Sequence, residues 1–265
     1  MNLDLRESFK IDIKKTVDDI TEFIKKNIEN AGCKTAIIGL SGGIDSAVSA
    51  ALAVKALGSD NVITVFMPYV TSNPQSSIDS HTVSNWLNTK NFDIDITPMV
   101  DSYFSSFPEA DPLRRGNFMA RQRMCILYDH SALYKGLVIG TCNKTEELLG
   151  YSTLFGDSAC AMNPIGDLYK TQVWEMARYL GIPQQVIDKA PSGDLWQGQT
   201  DEGEMGFTYF DADRILYLMF DKELNDGEII KIGFDEDIVS KIRKMCKRNA
   251  FKRAMPPIFK LNQTE

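Results

Sequence analysis

At 265 residues, the chain is long enough for one large domain or two small ones, and its 43% hydrophobic and 25% charged content is ordinary for a globular protein. With 29 basic against 36 acidic residues the net charge is −7, which argues against a nucleic-acid partner, because holding a phosphate backbone needs a basic face. No apolar run approaches the roughly 20 residues that span a bilayer, the charged first residues lack a signal-peptide core, and five cysteines with no Cys-x-x-Cys pair favour reduced thiols in a cytoplasmic protein over zinc or disulfides.

Ile13, Val17, Ile20, Ile24 and Ile28 recur every three or four residues, so residues 8–30 are expected to form an amphipathic helix. Thr35 to Leu40 is a short apolar run entering Ser-Gly-Gly, the pattern of a buried strand ending in a tight loop. Ala47 to Leu57, closed by Gly58, predicts a helix. Val62 to Met67 predicts the next strand, residues 75–90 a helix, and Phe92 to Ile96 a third strand. Residues 117–135 carry a long helical pattern that Gly136 ends, and Leu137 to Thr141 predicts a fourth strand. Apolar strands alternating with helices imply a doubly wound α/β fold, with a mostly parallel sheet covered on both faces. From Leu168 onward the pattern is helical: Leu168–Leu180, Pro183–Lys189, Ala212–Leu224 and Asp235–Arg248. Residues 192–206 are Gly-rich and acidic with no period, which fits either a mobile lid containing Leu195-Trp196 or plain disorder.

Ser41-Gly42-Gly43-Ile44-Asp45-Ser46 stands between the first predicted strand and its helix. Glycines there let backbone N–H groups turn inward, and the helix start adds a positive dipole end. The bland alternative is a capped turn without a ligand. No Gly-Lys-Ser/Thr and no Gly-x-Gly-x-x-Gly occurs, so kinase, simple NTPase and Rossmann oxidoreductase readings recede. A carboxylate inside an anion-cradling loop repels a triphosphate unless a cation lies between them. Asp45 therefore predicts Mg2+, and a first-turn capping role would not exclude it. Lys170 lies at a predicted helix start, where a cation opposes the dipole, which suggests an anionic partner.

The Ser-Gly-Gly-x-Asp-Ser loop resembles the pyrophosphate loop of the N-type ATP pyrophosphatases. Three further stretches, Gly116–Met124, Gly140–Glu146 with Gly150–Asp157, and Asn163–Thr171, join Lys252-Arg253-x-x-Pro256-Pro257 in resembling the NAD synthetase branch across essentially the whole chain. The resemblance implies an adenine nucleotide alpha hydrolase-like fold with a helical C-terminal part, a single domain over 1–265 without a glutaminase domain, and a homodimer. It implies ATP-driven adenylation of the carboxylate of deamido-NAD, followed by attack of ammonia. ATP contacts would come from Gly39, Leu40, Ser41, Gly42, Gly43, Ile44, Asp45, Ser46, Thr141, Lys170 and Ser192. Asp45 and Glu146 would hold Mg2+, with Asp45 and Lys170 as catalytic groups. Arg121, Asp157, Phe251 and Lys252 would meet the dinucleotide.

Each residue has a plainer reading as well. Thr141 suits a helix N-cap, Glu146 an exposed first-turn acid, and Lys247, Arg248, Lys252 and Arg253 a solvated basic cluster. Arg121 and Arg123 fall on different faces of one helix, so only one meets the substrate directly. Leu154 and Ala161 stand where some relatives carry lysine and aspartate, so two dinucleotide contacts do not transfer. His81 and His130 lie outside the motifs, and Cys142 suits packing better than redox chemistry. The competing functions are another adenylating amidotransferase, a tRNA-modifying ATP pyrophosphatase, or a nucleotide-binding regulator without turnover.

Overall fold

The computed structural model describes residues 9–194 and 198–261. Helix α1 (Ile13–Asn30) leads into β1 (Thr35–Gly39), α2 (Ile44–Leu57), β2 (Val62–Phe66), α3 (Pro74–Leu87), β3 (Lys90–Asp93), α4 (Thr97–Phe104), α5 (Pro112–Tyr134) and β4 (Gly136–Val138). The remainder is helical: α6 (Lys144–Leu149), α7 (Lys170–Leu180), α8 (Gln184–Ile187), α9 (Asp201–Met205), α10 (Tyr209–Leu216) with a π-helical extension Tyr217–Asp221, α11 (Asp226–Ile232) and α12 (Glu236–Arg248).

The four strands form one parallel sheet in the order β3-β2-β1-β4. Alternation along β1 builds both faces. Ala36 and Ile38 pack into a core with α1, α2, α7 and α8, while Ile37 joins Ile63 and Val65 against Val100, Phe104, Met119 and Ile126 of α4 and α5. A third core, from Leu149 and Tyr169 to Ile242, unites α10 to α12 with α6. The chain steps outward from β1 to β3 and then returns to the opposite side of β1. The carboxyl ends of β1 and β4 therefore frame the switch point where open α/β sheets bind ligands.

Several boundaries depart from the sequence pattern, each for a local reason. Helix α1 starts at Ile13, not residue 8, because Asp12 accepts from the Lys15 N–H and caps it there. Helix α2 starts at Ile44, immediately after the glycines, so Asp45 sits in its first turn. Strand β3 covers Lys90–Asp93 instead of Phe92–Ile96. Ile94 and Ile96 still donate to Phe66 and Pro68, but Pro68 has no N–H to return the bond. Helix α5 begins at Pro112 behind an Asp111 cap, five residues before the expected start. Beyond Val138, Ile139 forms only an isolated bridge to Met162, so β4 stops short of Thr141. Within the supposed structureless stretch 192–206, Asp201–Met205 is helical, while Leu195 and Trp196 lie outside the described residues. Helices α4, α6 and α11 had no counterpart in the pattern, being six to eight residues long.

Candidate active site

The glycine loop closes on itself through hydroxyls. Ser46 Oγ accepts from the Ser41 N–H at 3.2 Å and donates to the Gly43 carbonyl at 3.0 Å, with Ser41 Oγ 3.1 Å away. Gly42 has φ +78°, and a Cβ built there would stand 2.4 Å from the Ser76 carbonyl oxygen. Only glycine fits, because the positive φ and the approach of α3 act together. Behind this turn α2 begins, and its first residues, Ile44 and Asp45, line the cleft.

Asp45, in the first turn of α2, meets two residues from distant segments. Lys170, the first residue of α7, donates from Nζ to Asp45 Oδ2 at 2.5 Å and to Glu146 Oε1 at 3.2 Å. Asn143 caps α6, accepts from the Glu146 N–H at 3.0 Å, and donates from Nδ2 to Asp45 Oδ1 at 2.9 Å. The Asn143 N–H returns to Glu146 Oε2 at 3.2 Å, completing a capping box. Glu146 is thus in the first turn as its plain reading has it, but largely buried rather than exposed, with one oxygen left to face Lys170. The site needs both features from the same side chain.

Burial pushes the Glu146 carboxyl up to about 8; Lys170 opposes the rise and Asp45 adds to it. Burial alone would lower the Lys170 ammonium, but Asp45 and Glu146 outweigh it and hold the pKa above its ordinary value. Lys170 is anchored from behind. Its N–H donates to Thr145 Oγ1 at 3.0 Å, and Thr145 Oγ1 donates to the buried Asp213 at 2.5 Å. Asp213 also accepts from the Thr171 N–H and hydroxyl, both at 2.7 Å. Asp201, held by the Tyr209 hydroxyl at 2.9 Å, adds a further buried acid whose pKa burial raises.

These groups open onto one cleft of about 1420 Å³, above the carboxyl ends of β1, β2 and β4. Gly39, Leu40, Ser41, Gly43, Ile44, Asp45, Thr141, Glu146, Asp157, Lys170, Ser192 and Lys252 line it. Gly42 and Ser46 stand behind the lining and shape the turn. Two expected substrate residues sit elsewhere in the single chain. Arg121 is exposed on α5, with Nε donating to the Leu154 carbonyl at 3.3 Å, and Phe251 is 61% exposed. Arg123 is the arginine in the cleft; its Nε donates to the Met67 carbonyl at 2.9 Å, and burial lowers its pKa.

Asp157 accepts from the Thr153 N–H at 2.7 Å; burial raises its pKa, against the pull of that hydrogen bond and of Lys252 and Arg123. Lys252 donates to the carbonyls of Gly150 and Ser152 at 2.8 and 2.6 Å, all three lining the cleft. Cys142 is buried with its thiol pushed well up by desolvation, which fits packing rather than reactivity. His81 pairs with Asp93 and His130 with the Ile126 carbonyl, both away from the cleft lining. Sequence reasoning did not single out Arg123 over Arg121, and it passed over Asn143, Asp201, Asp213 and Lys189. Their only signal is spatial convergence.

The donor set suits a hard divalent cation that shares its coordination with phosphate. Asp45 and Glu146 turn carboxylate oxygens toward one point, already taken by a positive ammonium. Among the described residues no cluster of three or more acidic, His or Cys ligands forms a self-sufficient metal cage. Two carboxylates completed by substrate oxygens are the usual provision for Mg2+.

Comparison with known proteins agrees with this geometry. The profile of the NAD synthase family matches residues 16–256. The NH3-dependent NAD+ synthetase of Trichlorobacter lovleyi is 52% identical over 240 residues, covering 91% of this chain and 88% of its own. Among solved structures, an NMN synthetase from Francisella tularensis superposes with a TM-score of 0.83 at 34% identity, covering 94% of this chain and all of its own. The NH3-dependent NAD synthetase of Campylobacter jejuni, in complex with nitrate, gives 0.81 at 34% identity, covering 95% of this chain and all of its own.

Proposed function

The chain belongs to the NAD synthase family, and from that premise we infer that it amidates the carboxylate of deamido-NAD with ammonia at the expense of ATP, forming NAD, AMP and pyrophosphate. A carboxylate is a poor electrophile, and transfer of the adenylyl group to it provides a good leaving group for ammonia to displace. The observation that carries the reading is the meeting of Asp45, Glu146 and Lys170 beside the glycine loop, in one cleft of about 1420 Å³.

In this reading the loop N–H groups and the start of α2 cradle the β and γ phosphates. Lys170, fixed by Thr145 and Asp213, neutralises charge developing at the α phosphate. Asp45 and Glu146 would hold Mg2+, which would supply Lewis-acid polarisation and charge neutralisation of the phosphates. Thr141 and Ser192 border the adenosine side, while Asp157 and Lys252 orient the dinucleotide across the cleft. No enzyme nucleophile is needed, because positioning and electrostatics carry the reaction.

Arg121 has a role if a second copy docks on α5. Arg121, Cys125 and Tyr128 form an exposed stripe there, and a homodimer joined along it would carry Arg121 to a substrate at the interface. Five free thiols suit work in the reducing cytoplasm. Among the described residues no helix is long and apolar enough to cross a membrane.

The test is an incubation with ATP, Mg2+, ammonium and deamido-NAD, following AMP, pyrophosphate and NAD together. One-to-one release supports the reading, and pyrophosphate release that ignores the dinucleotide defeats it. A parallel arm with the deamidated mononucleotide determines whether the cleft accepts the shorter substrate, the Francisella neighbour being an NMN synthetase.

A further inference from the structure

Lys189 lies just beyond α8 and reaches the glycine loop. Its Nζ donates to the Gly42 carbonyl at 3.2 Å and to Ser76 Oγ at 3.1 Å, and it stands 3.0 Å from Asp79 Oδ2. Two of its N–H directions are thus taken by Gly42 and Ser76, with Asp79 as the adjacent counter-charge. Asp79 is 1% exposed; its Oδ1 accepts from Gln75 and Gln185, while Oδ2 makes no aligned hydrogen bond. The Lys189 charge is therefore what compensates Oδ2, and Asp79 in turn keeps the ammonium beside the loop.

Resting on the ATP-cleaving reading above, we propose that Lys189 is a positioning residue of the glycine loop: by holding the Gly42 carbonyl it keeps that oxygen away from the anion site and keeps the Gly43 N–H on Ser41 Oγ inside the turn. The link is the geometry of the peptide group. Across a trans peptide, C=O and N–H point to opposite sides, and the described chain contains no cis bond. Fixing the carbonyl of the Gly42–Gly43 peptide on Lys189 fixes its N–H toward Ser41 Oγ, 3.2 Å away, inside the turn. Two glycines in succession leave this peptide free to rotate, and Gly42 already occupies the left-handed region at φ +78°. Rotation the other way would aim a carbonyl oxygen at the phosphates. Lys189 opposes that rotation and moves the negative end of the peptide dipole away from the anion.

A purely structural role for Lys189, as counter-ion to Asp79, predicts something different, and two variants of the full chain separate the roles. The probe is inorganic pyrophosphate with Mg2+, with binding measured by calorimetry. Lys189→Met should weaken binding about tenfold or more, the loss expected for one charge-assisted hydrogen bond that preorganises a donor. Asp79→Asn/Lys189→Met leaves no stranded carboxylate, so it keeps the test alive if the single variant folds poorly. Under the proposal, the double variant stays about tenfold weak. In turnover, the KM for ATP rises while the KM for the dinucleotide holds. Recovery of wild-type pyrophosphate affinity in the double variant, or unchanged affinity in Lys189→Met, overturns the proposal. A wild-type protein that binds no pyrophosphate overturns the underlying reading of the loop, and the proposal with it.

Discussion

Lys170→Met keeps most of the side-chain volume and deletes the one charge that Asp45 and Glu146 share. Nζ stands 2.5 Å from Asp45 and 3.2 Å from Glu146, and the side chain is 2% exposed. Removing one partner of a buried ion pair costs about 3–5 kcal/mol, because the remaining charge is left without compensation. Glu146 relieves part of that cost by holding a proton. Its pKa of about 8 lies above the ordinary value of 4.5, so between those pH values the folded protein retains a proton that the unfolded chain has released. The stability contributed by that proton is complete below pH 4.5 and is lost as pH rises through 8. Lys170 restrains the rise, so its loss moves the upper end of this window higher. Each further unit widens the difference between low and high pH by about 1.4 kcal/mol. Urea unfolding at fixed protein concentration, followed by tryptophan fluorescence, should give a loss of about 3–5 kcal/mol at pH 9 and a clearly smaller loss at pH 6. An equal loss at both pH values, or a loss below about 1 kcal/mol at pH 9, would refute the shared-charge argument.

Gly42→Ala should destabilise the fold by about 1–3 kcal/mol, since positive φ and the 2.4 Å approach to the Ser76 carbonyl act at one atom; thermal melting and an ATP titration read the two effects. Asp213→Asn leaves donors from Thr145 and Thr171 competing for a weaker acceptor, so stability should fall by about 1–3 kcal/mol and kcat should fall as Lys170 loosens; steady-state kinetics at saturating substrates check this. Mg2+ binding with pyrophosphate at pH 7 should release a proton from Glu146, visible as a buffer-dependent enthalpy in calorimetry and absent in Glu146→Gln.

The strands were legible because a two-sided parallel sheet demands continuous apolar runs, and Ala36 to Ile38 and Val62 to Val65 meet that demand without help from distant residues. Where a boundary depended on a partner, the pattern misled. The Ile94 and Ile96 alternation looks like strand, yet the chain across from it has Pro68. Helix α6 has only six residues, too few for a period, and is held by the Asn143–Glu146 box. The tight turn and helix start of the glycine loop were readable because the hydroxyls that close it, Ser41 and Ser46, are neighbours in sequence. The bridging of Asp45 and Glu146 by Lys170 was not, since it joins residues 24 and 125 positions apart. The choice between Arg121 and Arg123 likewise depends on which face of α5 meets Met67, a fact of packing rather than of local spacing.

Residues 249–253 reach back about a hundred positions to grip the end of α6. Asn249 donates to the Leu149 carbonyl at 2.7 Å, Lys252 to Gly150 and Ser152, and Arg253 to Leu148 at 2.7 Å. The order of synthesis follows from this. The sheet can pair once Val138 has emerged from the ribosome, but the helix bearing Glu146 stays unclamped until residue 253 is free. A nascent chain thus carries the paired strands for a long stretch before the clamp on α6 can close. Long-range closure of this kind is the slow step of folding.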